Sequence, residues 1–559
     1  MNTSPARSVT PAPMIGTLDG LDIVSSAMAG HVFVIRGDLS KLAADAYLLP
    51  TDAFGSVTGA WEWLVGSDGA TGTRQLTEHR SALVEESAVI VTGYDGQRVL
   101  AVNVGGHDRR NTIDGLVERM SKALTVYEKA LRQEAAAKKG EVSKVRTLRA
   151  RPLLAVPLVG VRHGGLGERT GEVIAALIGT LSRRRGVDTV EPVPFDVVIV
   201  CNRDSDYAAI QHARRNLDTS APEPWLTALL AHSSSGKLGV MFGAGVSAAL
   251  GIPLWNGLIH KLAVQFGMTH ADALALERLD PIDAATVLVE RAGGSEPFMD
   301  ALRPLVTTEV HSLTHGLLAN LKPALAVTTN YDHGYELALA GMGIEDVAVL
   351  PWAHPQDAAS TCVLKLHGDV TRGLVVLSRD DFVAMQAYRR PLLGVLQESL
   401  LVGHILAVGS SMSDPTLVHA AEEVTALVRQ VDKQTGASRG PCGTVILTST
   451  DSGRTELLKR TFTVAVADKH GDANDIRVLE AARRVDIVLD WLAMRSSTDL
   501  SFMLDPIYRT LLAEDDRELA ELLEGFAARY FDGDSVSRIR SPLAAEVNAF
   551  LAELGIGNE

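Results

Sequence analysis

Residues 238 to 248 read Leu-Gly-Val-Met-Phe-Gly-Ala-Gly-Val-Ser-Ala, and this stretch decides the fold of the second half of the chain. Its first five residues form an apolar strand pattern, and the rest form a Gly-x-Gly-x-x-Ala turn that leads into a helical pattern. Glycines let the backbone approach a pyrophosphate, which the free N–H groups of a helix N-terminus can bind. A dinucleotide dehydrogenase would place an acidic residue about 20 positions further on. Gln265 lies there instead, so the pattern indicates a βα nucleotide turn and disfavours a simple dehydrogenase.

Three further apolar strand patterns in the same half of the chain also end in polar residues. In open α/β sheets the carboxyl ends of the strands face the ligand crevice, so these residues are candidates for a shared site. The polar residues that follow the three strands are Thr329, Asn330 and Asp332, then His367, and then Gly409, Ser410 and Asp414. Four polar strand ends in one domain are hard to explain by packing alone.

Composition excludes several classes of protein. The 559 residues include 46% apolar and 22% charged residues, which is ordinary for a globular protein and excludes a disordered chain. The formal net charge of −15 argues against coating a nucleic-acid duplex. Apolar runs stay shorter than the roughly 18 residues that a membrane span needs. With no apolar signal core at the N-terminus, we expect no membrane association and a cytoplasmic location.

The three cysteines, Cys201, Cys362 and Cys442, are far apart and form no CxxC pair. A local zinc site built on cysteines therefore cannot be assembled, and we expect no metal in the site. Isolated cysteines in a chain without an export signal indicate reduced thiols, which most often serve as small buried apolar side chains.

The pattern of elements predicts two α/β domains. Short strands begin at His31 and alternate with helical patterns, and Asp, Thr, Ser and Pro cluster at 216–224 before the second block begins. We expect a flexible lead (1–25), a first α/β domain (26–215), a Rossmann-like parallel-sheet domain (225–495) and a helical tail (496–559). Within the tail, the segment 505–530 has apolar residues at helical spacing and an acidic polar face, which is typical of a packed amphipathic helix.

The motifs of the second domain resemble the sirtuin-like (silent information regulator) family. GAGVSAALGIP at 243–253 matches the opening motif of that family, and Thr329-Asn330-Tyr331-Asp332 lies where sirtuins carry Gln-Asn-Ile-Asp. His367-Gly368 matches the catalytic His-Gly, and Gly409-Ser410 matches the segment that holds the adenosine ribose. SSMSDPTL at 410–417 and LSRDDF at 377–382 look more like bacterial sirtuin-like defence effectors than protein deacylases.

The resemblance implies NAD as substrate and roles for particular residues. Deacylating sirtuins carry a four-cysteine zinc module that this chain cannot build, so the resemblance favours hydrolysis of NAD to nicotinamide and ADP-ribose. It implies that Asn330 orients the ribose and the water, and that His367 acts as general base. The NAD-binding residues that it implies are Gly243, Ala244, Gly245, Ser247, Pro253, Trp255, Thr329, Asp332, Gly409, Ser410 and Asp414.

The first domain resembles a macro domain. Gly37-Asp38-Leu39 followed by Ala44 to Leu49, the strand at 99–104 and VPLVGVRHGGLG at 156–167 lie where macro domains carry matching strands and the phosphate loop. Pro50-Thr51-Asp52 replaces the usual Asn-Ala-Asn, and the loop lacks Gly-Gly-Gly. The resemblance implies binding of an ADP-ribose-type ligand rather than catalytic removal of ADP-ribose. An α/β scaffold without a ligand stays open as the alternative.

The combined resemblance implies an antiphage effector that destroys NAD in the infected cell. Because unregulated NAD hydrolysis is toxic, we expect a restrained homo-oligomer, with the segment 505–530 as a candidate contact and a phage or partner protein as a candidate activator. Two alternatives stay open: an NAD-dependent protein deacylase or ADP-ribosyltransferase, and a non-catalytic sensor of NAD or ADP-ribose.

Overall fold

The computed structural model describes most of the chain, in two compact units. It describes residues 15–17, 30–68, 72–105, 111–137, 149–162, 164–183, 195–218, 220–353, 361–449, 452–467, 475–531 and 542–555. The first unit, which we call the eight-stranded unit, contains 221–339, 344–492 and the short strand at 15–17. The second, the six-stranded unit, contains the described residues of 30–220, 340–343 and 493–555. The two units divide near residue 220.

The strands among the described residues are numbered in chain order. They are β1 (Ile15–Thr17), β2 (Val32–Arg36), β3 (Ala46–Thr51), β4 (Ala88–Thr92), β5 (Arg98–Asn103), β6 (Leu153–Pro157), β7 (Asp196–Cys201), β8 (Leu238–Phe242), β9 (Ala326–Thr328), β10 (Val347–Leu350), β11 (Thr361–Lys365), β12 (Gly368–Asp369), β13 (Leu374–Val375), β14 (His404–Val408), β15 (Gly443–Leu447) and β16 (Thr463–Val466).

The α-helices among the described residues are named by their residue ranges. They are Glu62–Val65, Arg80–Glu85, Ile113–Ala137, Thr170–Arg183, Asp204–Leu217, Pro224–Ser234, Trp255–Gln265, His270–Leu276, Pro281–Ala292, Ser295–Val306, Leu313–Asn320, Gly334–Gly341, Arg379–Val402, Pro415–Thr435, Ser452–Leu458, Asp475–Ser496, Glu514–Phe531 and Pro542–Glu553.

The eight-stranded unit is built on a parallel sheet with the order β1-β16-β15-β14-β8-β9-β11-β10. Its central strands are continuous apolar runs, because helices cover both faces of such a sheet, and β8 and β14 are buried along their whole length. From β8 the chain builds the sheet outward through β9 to β10 and then returns to β14 on the other side of β8. The strand order therefore reverses between β8 and β14, and the carboxyl ends at such a reversal are where open α/β sheets form their ligand crevice.

Two of the apolar clusters among the described residues show how this unit is packed. One lies between the sheet and its helices and includes Met241, Val327, Leu364 and Ile405. The other joins the helices between β8 and β9, with Leu262, Leu288, Phe298 and Leu302 buried among them. The long connection between β8 and β9 is thus a packed helical insertion rather than a single crossover helix.

The six-stranded unit has a mixed sheet with the order β2-β7-β6-β3-β5-β4, in which only the β4–β5 pair is antiparallel. The C-terminal tail belongs to this unit, because Phe502, Tyr508 and Leu512 are buried in the same apolar cluster as Val34 and Leu154.

The helix predicted within 505–530 is shorter than expected. Residues 506–511 form a 3-10 turn instead, and the α-helix begins at Glu514. Asp505 caps this turn by accepting a hydrogen bond from the Ile507 amide, and Pro506 occupies its first position.

The predicted α/β fold class is confirmed by these two sheets.

Of the predicted lead, the structure describes only Ile15–Thr17, which pairs with β16 at the edge of the eight-stranded sheet. Among the described residues, no helix is both long enough and apolar enough to cross a membrane.

Candidate active site

The glycine turn after β8 lies directly against the turn after β14. The Gly245 amide donates a hydrogen bond to the Gly409 carbonyl over 2.9 Å. A Cβ at Gly243 would lie 3.1 Å from the Gly409 oxygen, and one at Gly245 would lie 2.7 Å from it. Only glycine allows this close approach of two backbones, which brings predicted NAD-binding residues together at the point where the strand order reverses.

The helix expected after the glycine turn is replaced by two short 3-10 turns, Ala244–Val246 and Ala248–Leu250. Gly251 follows in the left-handed region with φ at 81°, and Pro253 removes a backbone donor. The next α-helix begins only at Trp255. The prediction of a helix that continues the turn is therefore wrong, because Gly251-Ile252-Pro253 interrupts it.

Asn330 and Asp332 follow β9 and share one hydrogen-bond network with Ser247. The Asn330 Nδ2 group donates to the Gly243 carbonyl over 3.1 Å and to Ser247 Oγ over 3.0 Å. The Ser247 hydroxyl in turn donates to Asp332 Oδ2 over 2.8 Å. All three side chains are buried, so each depends on these partners to satisfy its polar groups. The network holds the Asn330 amide in one orientation at the crevice.

His315, which the sequence reasoning missed, extends this network. Its Nε2 lies 3.5 Å from Ser247 Oγ, and the Ser312 amide donates to its Nδ1 over 3.2 Å. Burial lowers the pKa of His315 to about 4, so the ring is neutral at pH 7 with its proton assigned to Nε2. The sequence contains one signal for the position of His315, which is the Ser-x-x-His spacing of a capping box. Ser312 caps the helix Leu313–Asn320, and His315 is the third residue of that helix.

A buried lysine joins the two strand ends that carry the predicted catalytic residues. Lys365 Nζ donates to the Asp332 carbonyl over 2.6 Å and contacts Asp369 Oδ2 at 2.6 Å. Burial raises the pKa of Asp369, but Lys365 and the donors of Thr371 outweigh it and lower that pKa overall. Because Lys365 is the last residue of β11, its ammonium group ties the loop after β9 to the turn that carries His367.

His367 lies two residues after the end of β11 and contacts a carboxylate from another segment. Its Nε2 lies 2.5 Å from Asp414 Oδ2, and both side chains are largely buried. Asp414 is also the N-cap of the helix Pro415–Thr435, where its Oδ1 accepts the Thr416 amide over 2.8 Å. Burial by itself raises the pKa of Asp414, but His367 and Thr416 outweigh it and lower that pKa to about 2. Asp414 is therefore an anion at neutral pH.

The remaining predicted site residues are less closely connected. Thr329 and Ser410 are half-buried at the ends of β9 and β14, and Ser410 Oγ accepts the Met412 amide over 3.1 Å. Trp255 packs against the apolar cluster of the helical insertion. Among the described residues, no group of three or more His, Cys, Asp or Glu side chains is placed to hold a metal ion.

Comparison with known families first identifies the class of domain. Residues 324–461 match the family model of the SIR2-like domain. This match includes Asn330, Asp332, His367, Gly409 and Asp414 and begins after the glycine turn at 243–245. The resemblance to the sirtuin-like family is thereby confirmed for this part of the chain.

Individual relatives agree with this class. The chain is 26% identical over 198 residues to the NAD(+) hydrolase ThsA of Cytobacillus dafuensis, a match that covers 34% of this chain and 38% of the relative. It is 28% identical over 190 residues to the NAD(+) hydrolase ThsA of Bacillus cereus (strain MSX-D12), covering 33% and 39%. The chain thus spans well under half the length of these curated relatives.

Solved structures that are similar to the chain include the Oceanobacillus iheyensis macrodomain with ADP, at 14% identity and a TM-score of 0.23. This match covers 33% of this chain and 90% of that one. The Oceanobacillus iheyensis macrodomain with MES bound is similar at 13% identity and a TM-score of 0.23, with 33% and 90% covered.

Proposed function

We propose that the eight-stranded unit is an NAD glycohydrolase. The observation that carries this proposal is the convergence of four strand ends: the paired glycine turns at 243–245 and 409–410, the buried amide of Asn330, and His367 beside an ionised carboxylate. The glycine turns suit a pyrophosphate because their backbones come close to each other without side chains between them. The relatives named as NAD(+) hydrolases support the same substrate.

The chemistry of the bond explains which groups the site needs. Cleavage of the bond between nicotinamide and the ribose carbon passes through an oxocarbenium-like centre, as in glycoside hydrolysis. The electron pair of the broken bond neutralises the pyridinium nitrogen, so nicotinamide leaves without a general acid. Water then bonds to the ribose carbon and gives up a proton to a base. Asn330 and His367 are the residues proposed to orient the water and to take the proton.

The fixed orientation of Asn330 supports its proposed role. Both hydrogens of its amide nitrogen are used, one on the Gly243 carbonyl and one on Ser247 Oγ. The amide oxygen is therefore the part of the side chain that remains for a ribose hydroxyl or a water molecule. An amide held in this way needs no reorganisation when the reaction occurs, which is how preorganised groups lower a barrier.

The first test is turnover of NAD by the full-length protein, followed as release of nicotinamide and ADP-ribose by chromatography. We expect His367→Ala and Asn330→Ala each to reduce kcat by a factor of about 100 or more, which is the usual contribution of general acid–base groups. His419→Ala is the matched control, because His419 lies in the same unit and is exposed at the surface, paired with Glu423. NAD that binds without turnover under every condition would favour a sensor instead. Acyl-ADP-ribose as product would favour a deacylase.

For the six-stranded unit we propose an ADP-ribose-type ligand. The loops after β5 and β6 are joined, because Asn111 Nδ2 donates to the Val104 carbonyl over 3.0 Å and to the Gly164 carbonyl over 2.6 Å. Gly160 and Gly165 have φ values of 83° and 78°, so the loop after β6 depends on glycine to turn back at the sheet edge. Titration calorimetry with ADP-ribose tests the proposal, and absence of heat with ADP-ribose and ADP would contradict it.

The biological role that we propose is a regulated antiphage effector. The resemblance to defence-type sirtuin-like proteins supports it, and the need to restrain NAD hydrolysis explains why a second, ligand-binding unit accompanies the first. Cells that carry the wild-type gene are expected to lose NAD on infection and to release few phages, whereas cells carrying His367→Ala keep their NAD. Equal phage yields from both strains would contradict this role.

A further inference from the structure

Asp414 contacts two different parts of the eight-stranded unit through its two carboxylate oxygens. One carboxylate oxygen caps the helix Pro415–Thr435 through the Thr416 amide, and the other lies 2.5 Å from His367 Nε2. Side-chain exposure is 12% for Asp414 and 16% for His367, so water screens their interaction weakly. Before any substrate binds, one carboxylate oxygen thus accepts a hydrogen bond from the protein and the other is in ion-pair contact with His367.

The capping contact makes the carboxylate a fixed anion. The first turn of a helix carries unpaired N–H groups and a partial positive charge, which stabilise a negative charge at the N-cap. The helix here has 21 residues, and Pro415 at its first position sets the backbone for that turn. Because Oδ1 is used by Thr416, Oδ2 has a defined direction, and that direction is toward the imidazole of His367.

From this geometry we propose that Asp414 is the positioning residue for His367 and does not bind NAD. An anionic oxygen 2.5 Å from Nε2 favours the ring tautomer that carries the proton on Nε2, because a proton there is attracted to the negative charge. In that tautomer the lone pair lies on Nδ1, which is then the nitrogen able to take up a proton. An aspartate that orients a catalytic histidine in this way is known from serine proteases, where its replacement by asparagine leaves the geometry intact and gives the wrong tautomer.

The variant Asp414→Asn separates the two roles. Asparagine is as good a helix cap as aspartate. We therefore expect the helix to be retained, with the side-chain oxygen of asparagine accepting the hydrogen bond from the Thr416 amide. The amide nitrogen then faces His367, and because it donates hydrogen bonds, it requires Nε2 to be the acceptor. The proton of the neutral ring moves to Nδ1 as a consequence.

Asp280→Asn is the matched control. Asp280 also precedes a proline at the start of a helix, Pro281–Ala292, and its side chain accepts the Ile282 amide over 3.0 Å. It therefore tests the effect of the same substitution on an Asp-Pro cap in the same unit. We expect Asp280→Asn to retain the kcat and the KM of the wild type.

The inference rests on the proposed NAD hydrolysis for its kinetic test, whereas a spectroscopic test is independent of turnover. In full-length protein labelled with ¹⁵N-histidine, with the His367 signals assigned by their loss in His367→Ala, we expect the Nε2–H tautomer. In Asp414→Asn we expect the Nδ1–H tautomer, a kcat at least about 100-fold lower and an unchanged KM for NAD.

Other results would contradict either the role of Asp414 or the proposed NAD hydrolysis. An unchanged tautomer in Asp414→Asn overturns the proposal, as does a raised KM with an unchanged kcat, which would return Asp414 to the NAD-binding residues. If Asp414→Asn fails to fold, Asp414→Ser retains a good cap and removes the anion, and a kcat equal to that of the wild type then overturns the proposal. If the wild type shows the Nε2–H tautomer but hydrolyses no NAD, the proposed function fails and the assignment of Asp414 stands.

Discussion

Gly409 shows at the scale of a single residue how the crevice depends on backbone contact. It follows β14 with φ at 60°, in the left-handed region, and a Cβ there would lie 2.7 Å from Val246 Cγ2 and 2.8 Å from the Val246 amide nitrogen. A side chain at this position is strained by its backbone conformation and also pushes the two glycine turns apart.

We therefore expect Gly409→Ala to weaken NAD binding about tenfold or more, as a strain of about 1–3 kcal/mol would do. Gly436→Ala is the control, because Gly436 has a similar φ of 70° at a helix end, but a Cβ added there would have no atom within 4 Å. Calorimetric titration of NAD measures the difference. Equal affinity in the two variants would mean that contact between the turns is unimportant for binding.

Buried histidines make the stability of the eight-stranded unit sensitive to acid. Burial, together with the smaller effect of the nearby His232, lowers the pKa of His404, at the start of β14, to about 3. The unfolded chain has a histidine pKa near about 6.5, so it takes up a proton as the pH falls while the folded protein does not. The contribution of neutral His404 to the free energy of unfolding is therefore complete above about pH 6.5 and decreases below that pH.

From pH 7 to pH 5 this single group is expected to reduce the free energy of unfolding by about 2 kcal/mol. His404→Gln retains a polar partner for Thr444 Oγ1, which lies 2.9 Å from His404 Nε2, but does not titrate. Urea unfolding at both pH values should thus show a smaller loss for the variant than for the wild type. Equal losses would show that His404 becomes protonated within the folded protein.

At the scale of elements, the C-terminal tail is a structural part of the six-stranded unit. The Tyr508 hydroxyl donates to Asp206 Oδ1 over 2.8 Å and lies 3.2 Å from Ser205 Oγ, which links the tail to the helix Asp204–Leu217. Burial is the main reason that the pKa of Asp206 is raised. The carboxylate therefore depends on the tyrosine hydroxyl as a donor.

We expect Tyr508→Phe to destabilise this unit by about 1–3 kcal/mol, because it leaves a buried acceptor without its donor. Tyr94→Phe is the control, since Tyr94 lies in the same unit and is 72% exposed. Thermal unfolding followed by circular dichroism compares the two variants. A melting temperature for Tyr508→Phe equal to that of the control would mean that Asp206 finds another donor.

At the scale of the whole molecule, the proposed homo-oligomer can be tested at one helix. On Glu514–Phe531 the side chains Ala520 and Ala527 are buried, whereas Leu519, Leu522 and Phe526 are 48%, 73% and 48% exposed. The predicted amphipathic helix thus buries only part of its apolar residues within its own unit. The exposed ones suit a contact with another copy.

We expect the wild type to elute at a multiple of 59.6 kDa and Leu522→Glu to shift toward 59.6 kDa, measured by light scattering after size-exclusion chromatography. Leu274→Glu is the control, as an exposed leucine of the helix His270–Leu276 in the other unit. A wild type that elutes as a monomer would contradict the oligomer as the means of restraint.

The sequence by itself determined the α/β class, the parallel strands and the polar strand ends, because these depend on local patterns of apolar and polar residues. Gly243, Asn330, His367 and Gly409 could be selected from such patterns. The Gly251-Ile252-Pro253 break is also a local feature, and it accounts for the end of the turns before the helix that begins at Trp255.

Only the tertiary structure decided which of these residues touch. Ser247 meets His315 across 68 positions of sequence, and Asp414 meets His367 although another long helix separates them in the chain. Such contacts depend on strand order and on the angle at which each loop leaves the sheet, and neither property is encoded in local periodicity. The tail is a similar case, since an amphipathic pattern predicts a helix but does not identify the surface that covers it.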